Sequence, residues 1–195
     1  KTGKGNMYLR FKPDQATGKR TFRLESDDAG RTLKAFGLYD KIRGGKLVIY
    51  GEPRQGDNKG DLFGKAKIEE FSVRKAPALA KLLGAMSQDG VQDILQNNGL
   101  AFAKLESDFE WQFRPEGNLL VMKEGRTSGS SLGLTFEGVY NQGTNVTDIS
   151  GTVIPLSGVN KAIGDIPVIG SILTGGKAFL AATYKISGDS ADPKV

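Results

Sequence analysis

The sequence predicts an α+β fold that is mostly β, built from many short antiparallel strands and a few short helices. Apolar and polar residues alternate with a period of two in many segments, as they do in half-buried strands. Glycine makes up 27 of the 195 residues, and these glycines are spread along the chain, as tight turns between strands require. Two short stretches change to the spacing of amphipathic helices.

The first half of the chain contains two strand patterns, a helix pattern and a third strand pattern. Residues 7–11 and 22–24 alternate strictly between apolar and polar side chains. Ser26 or Asp27 is expected to cap a short helix that runs through Phe36 and ends at Gly37. The strand at 47–50 follows Gly44 and Gly45, which are expected to form a turn.

A fourth strand is predicted over residues 63–74, with an irregularity near its middle. Ala66 and Ile68 are in phase with each other, whereas Phe71 and Val73 are out of phase with them. A β-bulge near Glu69–Glu70 would restore the register.

The remaining elements are a helix pair and a second run of strands. Pro77 stands where a helix can begin, and a second short helix is expected over 91–97.

We expect residues 1–195 to be a single fragment that is cut from a longer protein. Its predicted parts are strands over about 4–74, a helix pair over about 77–97, and strands over about 100–188 with an apolar Gly/Pro loop over 158–176.

The composition excludes several kinds of active site. The chain has no cysteine and no histidine, so it lacks Ser–His and Cys–His nucleophiles and thiolate or imidazole metal ligands. The acidic pair Asp27–Asp28 is expected to cap a helix. The pair Glu69–Glu70 is expected to lie on a solvent-exposed edge of the sheet. The net charge of +5 comes from 27 basic residues scattered among 22 acidic ones. We therefore expect no enzyme activity, no cofactor, no metal and no nucleic-acid partner.

One face of the predicted sheet needs a cover that two or three short helices supply only in part. The sheet could curl until its apolar face meets itself, as in a barrel, or it could stay open as an apolar trough. An open trough needs an occupant, because large exposed apolar patches are rare in monomers.

The segment GDIPVIGSILTGG, residues 164–176, is apolar but interrupted by proline and glycine. Two interpretations remain open, a buried hairpin plug and an element that faces a membrane or gates a ligand. The residues that would form the second are Ile166, Pro167, Val168, Ile169, Ile172 and Leu173.

Several segments together resemble the C-terminal region of AsmA-like proteins, and more narrowly their YhdP-type branch. They are LESDDAGRTLKAFGLYDKIRGGKL, FSVRKAPALAKLLGAMSQDGV and ISGTVIPLSGVNKAIGDIPVIGSILTGG, followed by FLAATYKISG and a final DPKV. The resemblance covers the chain from about Phe22 onward. It implies a taco-like β-groove in a Gram-negative, bridge-like lipid-transfer protein of the periplasm, anchored to the inner membrane by an N-terminal transmembrane helix that this fragment lacks.

The resemblance also implies a function in the cell envelope. Such a segment would bind phospholipid acyl chains in the groove and help to transport them between the inner and outer membranes. The alternative is a cap, or a module that docks another envelope protein or the membrane surface and carries no lipid. Our candidates for the groove are Phe109, Trp111, Phe113, Leu132, Leu134, Phe136, Val153, Phe179 and Ala181.

Overall fold

A computed structural model describes residues 5–13, 15, 18–55, 60–86, 99–129, 132–155 and 181–195. Within these ranges the chain forms nine strands and two helices. In chain order they are β1 (Met7–Pro13), β2 (Arg20–Ser26), α1 (Ala29–Ala35), β3 (Ile42–Pro53), β4 (Leu62–Val73), α2 (Pro77–Met86), β5 (Leu100–Gln112), β6 (Leu119–Gly129), β7 (Leu132–Asn141), β8 (Val146–Pro155) and β9 (Ala182–Asp189).

The nine strands form one antiparallel sheet in which each strand pairs with its neighbours in the sequence. The sheet is curved but not closed into a barrel, so β1 and β9 are its two edges. This architecture confirms the predicted fold class. Of the two forms of the sheet left open by the sequence, the structure has the open one.

Helix α1 is capped one residue later than expected. Asp28 is the N-cap, and its side chain accepts a hydrogen bond from the Arg31 N–H. Ser26 instead accepts from the Asp28 N–H and from the Thr32 hydroxyl, so it supports the cap from outside the helix. The predicted end is confirmed, because Gly37 has a left-handed φ of +67° and closes the last turn.

The predicted bulge near Glu69–Glu70 is wrong. β4 has the same register with β3 and with β5 on either side of Glu70, so no residue is inserted there, although Glu70 itself is paired on neither side. The change of phase comes instead from Glu70, whose left-handed φ of +55° lets Ile68 and Phe71 face the same core. The expected turn at Gly44–Gly45 is also wrong, since both glycines lie inside β3.

The core lies where the two helices meet the sheet. Pro77 is the first residue of α2, as predicted, and Leu79 and Leu82 of that helix are buried. The second predicted helix, over 91–97, and the predicted apolar loop lie outside the described residues. The buried cluster consists of Leu24, Ala29, Ile42, Leu47, Ile68, Phe71, Val73, Ala76, Leu79, Leu82, Leu100, Phe102, Leu132 and Val153.

Candidate functional site

A row of uncharged residues crosses the whole sheet, with one member from each strand. Directly paired residues of an antiparallel sheet point to the same face, so the row defines what we call the apolar face. Its members, in strand order, are Phe11, Phe22, Gly51, Gly64, Phe109, Met122, Gly138, Ile149 and Ile186. The three glycines place no side chain on the apolar face, so the face is recessed at these positions.

The opposite face, here called the charged face, carries ion pairs between neighbouring strands. Lys65 contacts Asp108 at 2.6 Å, Arg126 contacts Glu106 at 3.1 Å, and Lys185 contacts Asp148 at 3.2 Å. These pairs are partly exposed and add little to stability individually. They place charged side chains on this side of the sheet, whereas the row on the other side carries none.

The structure places six of the predicted groove residues on the apolar face. They are Phe109 and Trp111 of β5, Leu132, Leu134 and Phe136 of β7, and Val153 of β8. Three of them belong to the buried interior, since Phe109 is 8% exposed, Leu132 5% and Val153 0%. Alternation in the sequence shows on which face of a strand a residue lies. It does not show whether other segments cover that face, so buried and accessible groove residues have the same pattern.

The accessible part of the candidate site is an aromatic cluster at the end of β5. Phe113 is 45% exposed and stacks on Trp111, with 5.4 Å between the ring centroids. Phe36, just after α1, meets Trp111 edge-on at 5.9 Å. Sequence reasoning missed Phe36 as a site residue because its helical spacing from Leu33 marks it only as core.

An ion pair between the buried Asp61 and the partly exposed Arg114 lies beside this cluster. The two terminal guanidinium nitrogens of Arg114 donate to the Asp61 carboxylate at 2.8 Å, and the Phe113 N–H donates to the same carboxylate at 3.0 Å. The hydrogen bond from Arg114 holds the pKa of Asp61 below its usual range. Asp61 therefore fixes the backbone that presents Phe113.

Two aromatic side chains of the apolar face lie over glycines. A methyl group added to Gly125 would stand 2.3 Å from the Phe136 ring, and one added to Gly151 would stand 2.9 Å from the Tyr184 hydroxyl. Tyr184 donates to the Thr135 carbonyl at 2.8 Å, and burial raises its pKa. Alternation in the segment ATYKISG is the signal that could have assigned Tyr184 to this face.

In β9 the even-numbered residues lie on the apolar face, whereas the predicted groove residues Phe179 and Ala181 are odd-numbered. Ala182, not Ala181, pairs with Val153, and it is followed on the same face by Tyr184 and Ile186. Ala181 lies exposed just before the strand. Phe179 and the six predicted gating residues, Ile166, Pro167, Val168, Ile169, Ile172 and Leu173, lie outside the described residues.

Helix α2 is tied to the end of the chain beyond β9. The Lys81 ammonium contacts Asp192 at 2.7 Å and donates to the Pro193 carbonyl at 2.8 Å. Pro193 itself is fully buried. Leu79 and Leu82 of α2 are buried in one cluster with Leu132 and Val153, so α2 covers part of the apolar face there.

The charged face contains a concavity of about 800 Å³ between β2 and β6. Its cations are paired within it, since Lys19 contacts Glu52 at 3.7 Å and Lys123 contacts Glu110 at 3.0 Å. Tyr50, Phe63 and the predicted groove residue Phe109 also line this space, together with Phe22, Gly51 and Gly64 of the row.

The described residues contain no group of three or more acidic side chains placed to hold a metal ion. Over the same residues, no helix is long and apolar enough to cross a membrane. The arrangement is suited to binding an apolar ligand on one face while the other stays hydrated.

No protein-family model, no curated protein and no solved structure matches this chain.

Proposed function

We propose that this chain is a C-terminal segment of an AsmA-like protein of the YhdP-type branch, which binds phospholipid acyl chains on its apolar face. The uncharged row from Phe11 to Ile186 carries the proposal, because it places an uncharged residue on the apolar face of each of the nine strands. In this proposal the full protein lies in the periplasm, is anchored in the inner membrane, and passes phospholipid between the inner and outer membranes.

The proposed mechanism needs no chemical step, and hence no enzyme activity, cofactor or metal. Acyl chains would lie against the apolar face, where each buried methylene group contributes roughly 0.8 kcal/mol. Headgroups would stay in water beside the open edges of the curved sheet. Movement along the row would exchange one apolar contact for an equivalent one, which keeps the barriers between positions low.

The accessible aromatic cluster is the proposed contact point for a lipid chain. Phe113 is 45% exposed although it stacks on Trp111, so a large apolar surface is left without a protein cover. Asp61 and Arg114 hold this surface in a fixed orientation. Such a fixed surface would bind a chain without first having to order itself.

A second candidate function, a cap that closes the groove and carries no lipid, is favoured by α2. Leu79 and Leu82 of this helix are buried in one cluster with Phe102, Leu132 and Val153. The apolar face is filled by protein there, as the closed end of a groove would be.

Native mass spectrometry with lipid extraction tests the proposal. We expect phospholipid to copurify with the 195-residue chain and to be lost on Phe113→Glu, which places a charge at an exposed position of the cluster. Tyr50→Glu is the matched control, because Tyr50 is 48% exposed and lies on the charged face beside Lys65. A folded, lipid-free protein would favour the cap, and equal loss from both variants would contradict the proposed binding face.

A further inference from the structure

Helix α1 and the residue that follows it extend over the apolar face toward Trp111. The helix packs on β3, where a β-carbon on Gly30 would stand 2.4 Å from the Ile42 carbonyl. Phe36, the C-cap of α1, meets Trp111 of β5 edge-on. Gln142 directly follows β7, two strands further along the sheet, and its side-chain amide donates to the Phe36 carbonyl at 2.8 Å. The helix, Phe36 and Gln142 therefore form a bridge over the sheet from β3 to β7.

The orientation of the Gln142 amide is set by the neighbouring turn. Its Oε1 atom accepts from the Asn118 side-chain amide at 3.1 Å, and its N–H donates to the Asn118 carbonyl at 2.8 Å. The two turns pack backbone against backbone, since a β-carbon on Gly143 would stand 2.3 Å from the Glu116 carbonyl. An amide oxygen only accepts and an amide nitrogen only donates, so the bond from Asn118 leaves Nε2 to face Phe36. The two turns therefore aim a hydrogen-bond donor at the end of α1.

The bridge can open at its Phe36 end at low cost. The Phe36 carbonyl lies at the C-terminal end of α1, where the last carbonyls of a helix have no partner within the helix. Water can replace the Gln142 amide at this carbonyl, so opening costs only the net contribution of one hydrogen bond. The Phe36 side chain is only partly buried. Gly37, the next residue, is exposed and has a φ of +67°, and glycine enters and leaves this conformation without strain. Gly37 can therefore serve as the hinge for Phe36.

We propose that Gln142 is a positioning residue of the lipid site: it holds Phe36 on Trp111, and an acyl chain enters the aromatic cluster by displacing Phe36. This inference rests on the proposed function and adds the point at which a chain enters. Phe113 is fixed through its N–H by the Asp61 carboxylate, so Phe36 is the more easily displaced neighbour of Trp111. An acyl chain in its place would keep the indole ring out of water, which offsets the loss of the aromatic contact.

The fluorescence of Trp111, the sole tryptophan, tests the inference on the full 195-residue chain. Gln142→Glu keeps the shape of the side chain but replaces the amide donor with a carboxylate, which at neutral pH cannot donate to the Phe36 carbonyl. We expect acrylamide to quench Trp111 more strongly in this variant. Vesicles of phosphatidylcholine brominated on its acyl chains should reach half-maximal quenching at about fivefold less lipid, because the closed state has lost one hydrogen bond. Thr144→Glu, an equal charge change at an exposed position of the same turn, should match wild type in both measurements.

Asn118→Asp is the second variant if Gln142→Glu does not fold, because a carboxylate at position 118 would attract the Gln142 Nε2 away from Phe36. Acrylamide quenching that equals wild type would overturn the inference, since Gln142 would then not hold Phe36. Stronger acrylamide quenching with unchanged quenching by lipid would also overturn it, because chains would then bind without displacing Phe36. In both outcomes lipid still quenches wild type, so the proposed function stands. Brominated lipid that quenches neither wild type nor variant would contradict the proposed function, and this inference with it.

Discussion

The ring of Phe136 lies directly over Gly125 of the neighbouring strand, in the space that a side chain at position 125 would need. A β-carbon on Gly125 would stand 2.3 Å from the ring. The glycine is therefore required by packing, and the aromatic ring covers the backbone that it exposes.

Gly125→Ala should destabilise the fold by about 1–3 kcal/mol, because the added methyl group overpacks the apolar face. The measurement is the free energy of unfolding in urea. The control is the same substitution in a Phe136→Leu background, where the smaller side chain leaves room for the methyl group. An equal loss in both backgrounds would show that the contact with the ring is not the cause.

The left-handed backbone of Glu70 gives a prediction that runs against strand propensity. Valine is a good strand residue, yet Glu70→Val should destabilise the protein by about 1 kcal/mol, because a β-branched side chain is strained at φ +55°. Ser72→Val, two residues along β4, should be neutral or slightly stabilising. Unfolding in urea compares them, and a stabilising Glu70→Val would contradict the assigned backbone conformation.

The Asp61–Arg114 pair should make the free energy of unfolding depend on pH in the acidic range. The hydrogen bond from Arg114 lowers the pKa of Asp61 in the folded state. Such a group contributes stability above the unfolded pKa of about 4, and the contribution is lost as the pH falls through the lower, folded value. Asp61→Asn should therefore be less stable than wild type at pH 7, and the difference should shrink in acid.

The matched control is Asp148→Asn, which removes an exposed partner of Lys185. Both side chains of that pair are more than half exposed, so its loss should have little effect at any pH. Thermal unfolding followed across the pH range compares the two variants. A wild type and an Asp61→Asn variant that lose stability in parallel would contradict the assigned role of Asp61.

The sequence predicted the strands and the face on which each residue lies better than it predicted how deeply a residue is buried and whether the sheet closes into a barrel. Alternation places Phe109 and Trp111 on one face, and the structure agrees. Alternation does not report how deeply a residue is buried: Phe109 is 8% exposed, whereas Phe113, just after the same strand, is 45% exposed. Burial depends on packing between segments that are distant in the sequence, which no local pattern records.

Two local predictions from the sequence are wrong because of the backbone conformation at these positions. Gly44 and Gly45 suggest a turn from their type alone, but both continue β3 with left-handed φ values of +65° and +89°. Glu70 adopts a conformation that its residue type disfavours, and this replaces the expected bulge. In both places the strands continue on either side of the left-handed residue in the same register, which the residue types alone do not predict.

Quenching of Trp111 tests most directly whether acyl chains lie on the apolar face. Trp111 is the sole tryptophan of the chain, so its fluorescence reports on one place. Phospholipid brominated on its acyl chains quenches tryptophan on contact, and we expect it to quench Trp111. A Trp111→Phe/Tyr50→Trp variant moves the single tryptophan to the charged face and should remain unquenched. No quenching at Trp111, or equal quenching at both positions, would contradict the proposed path for the lipid.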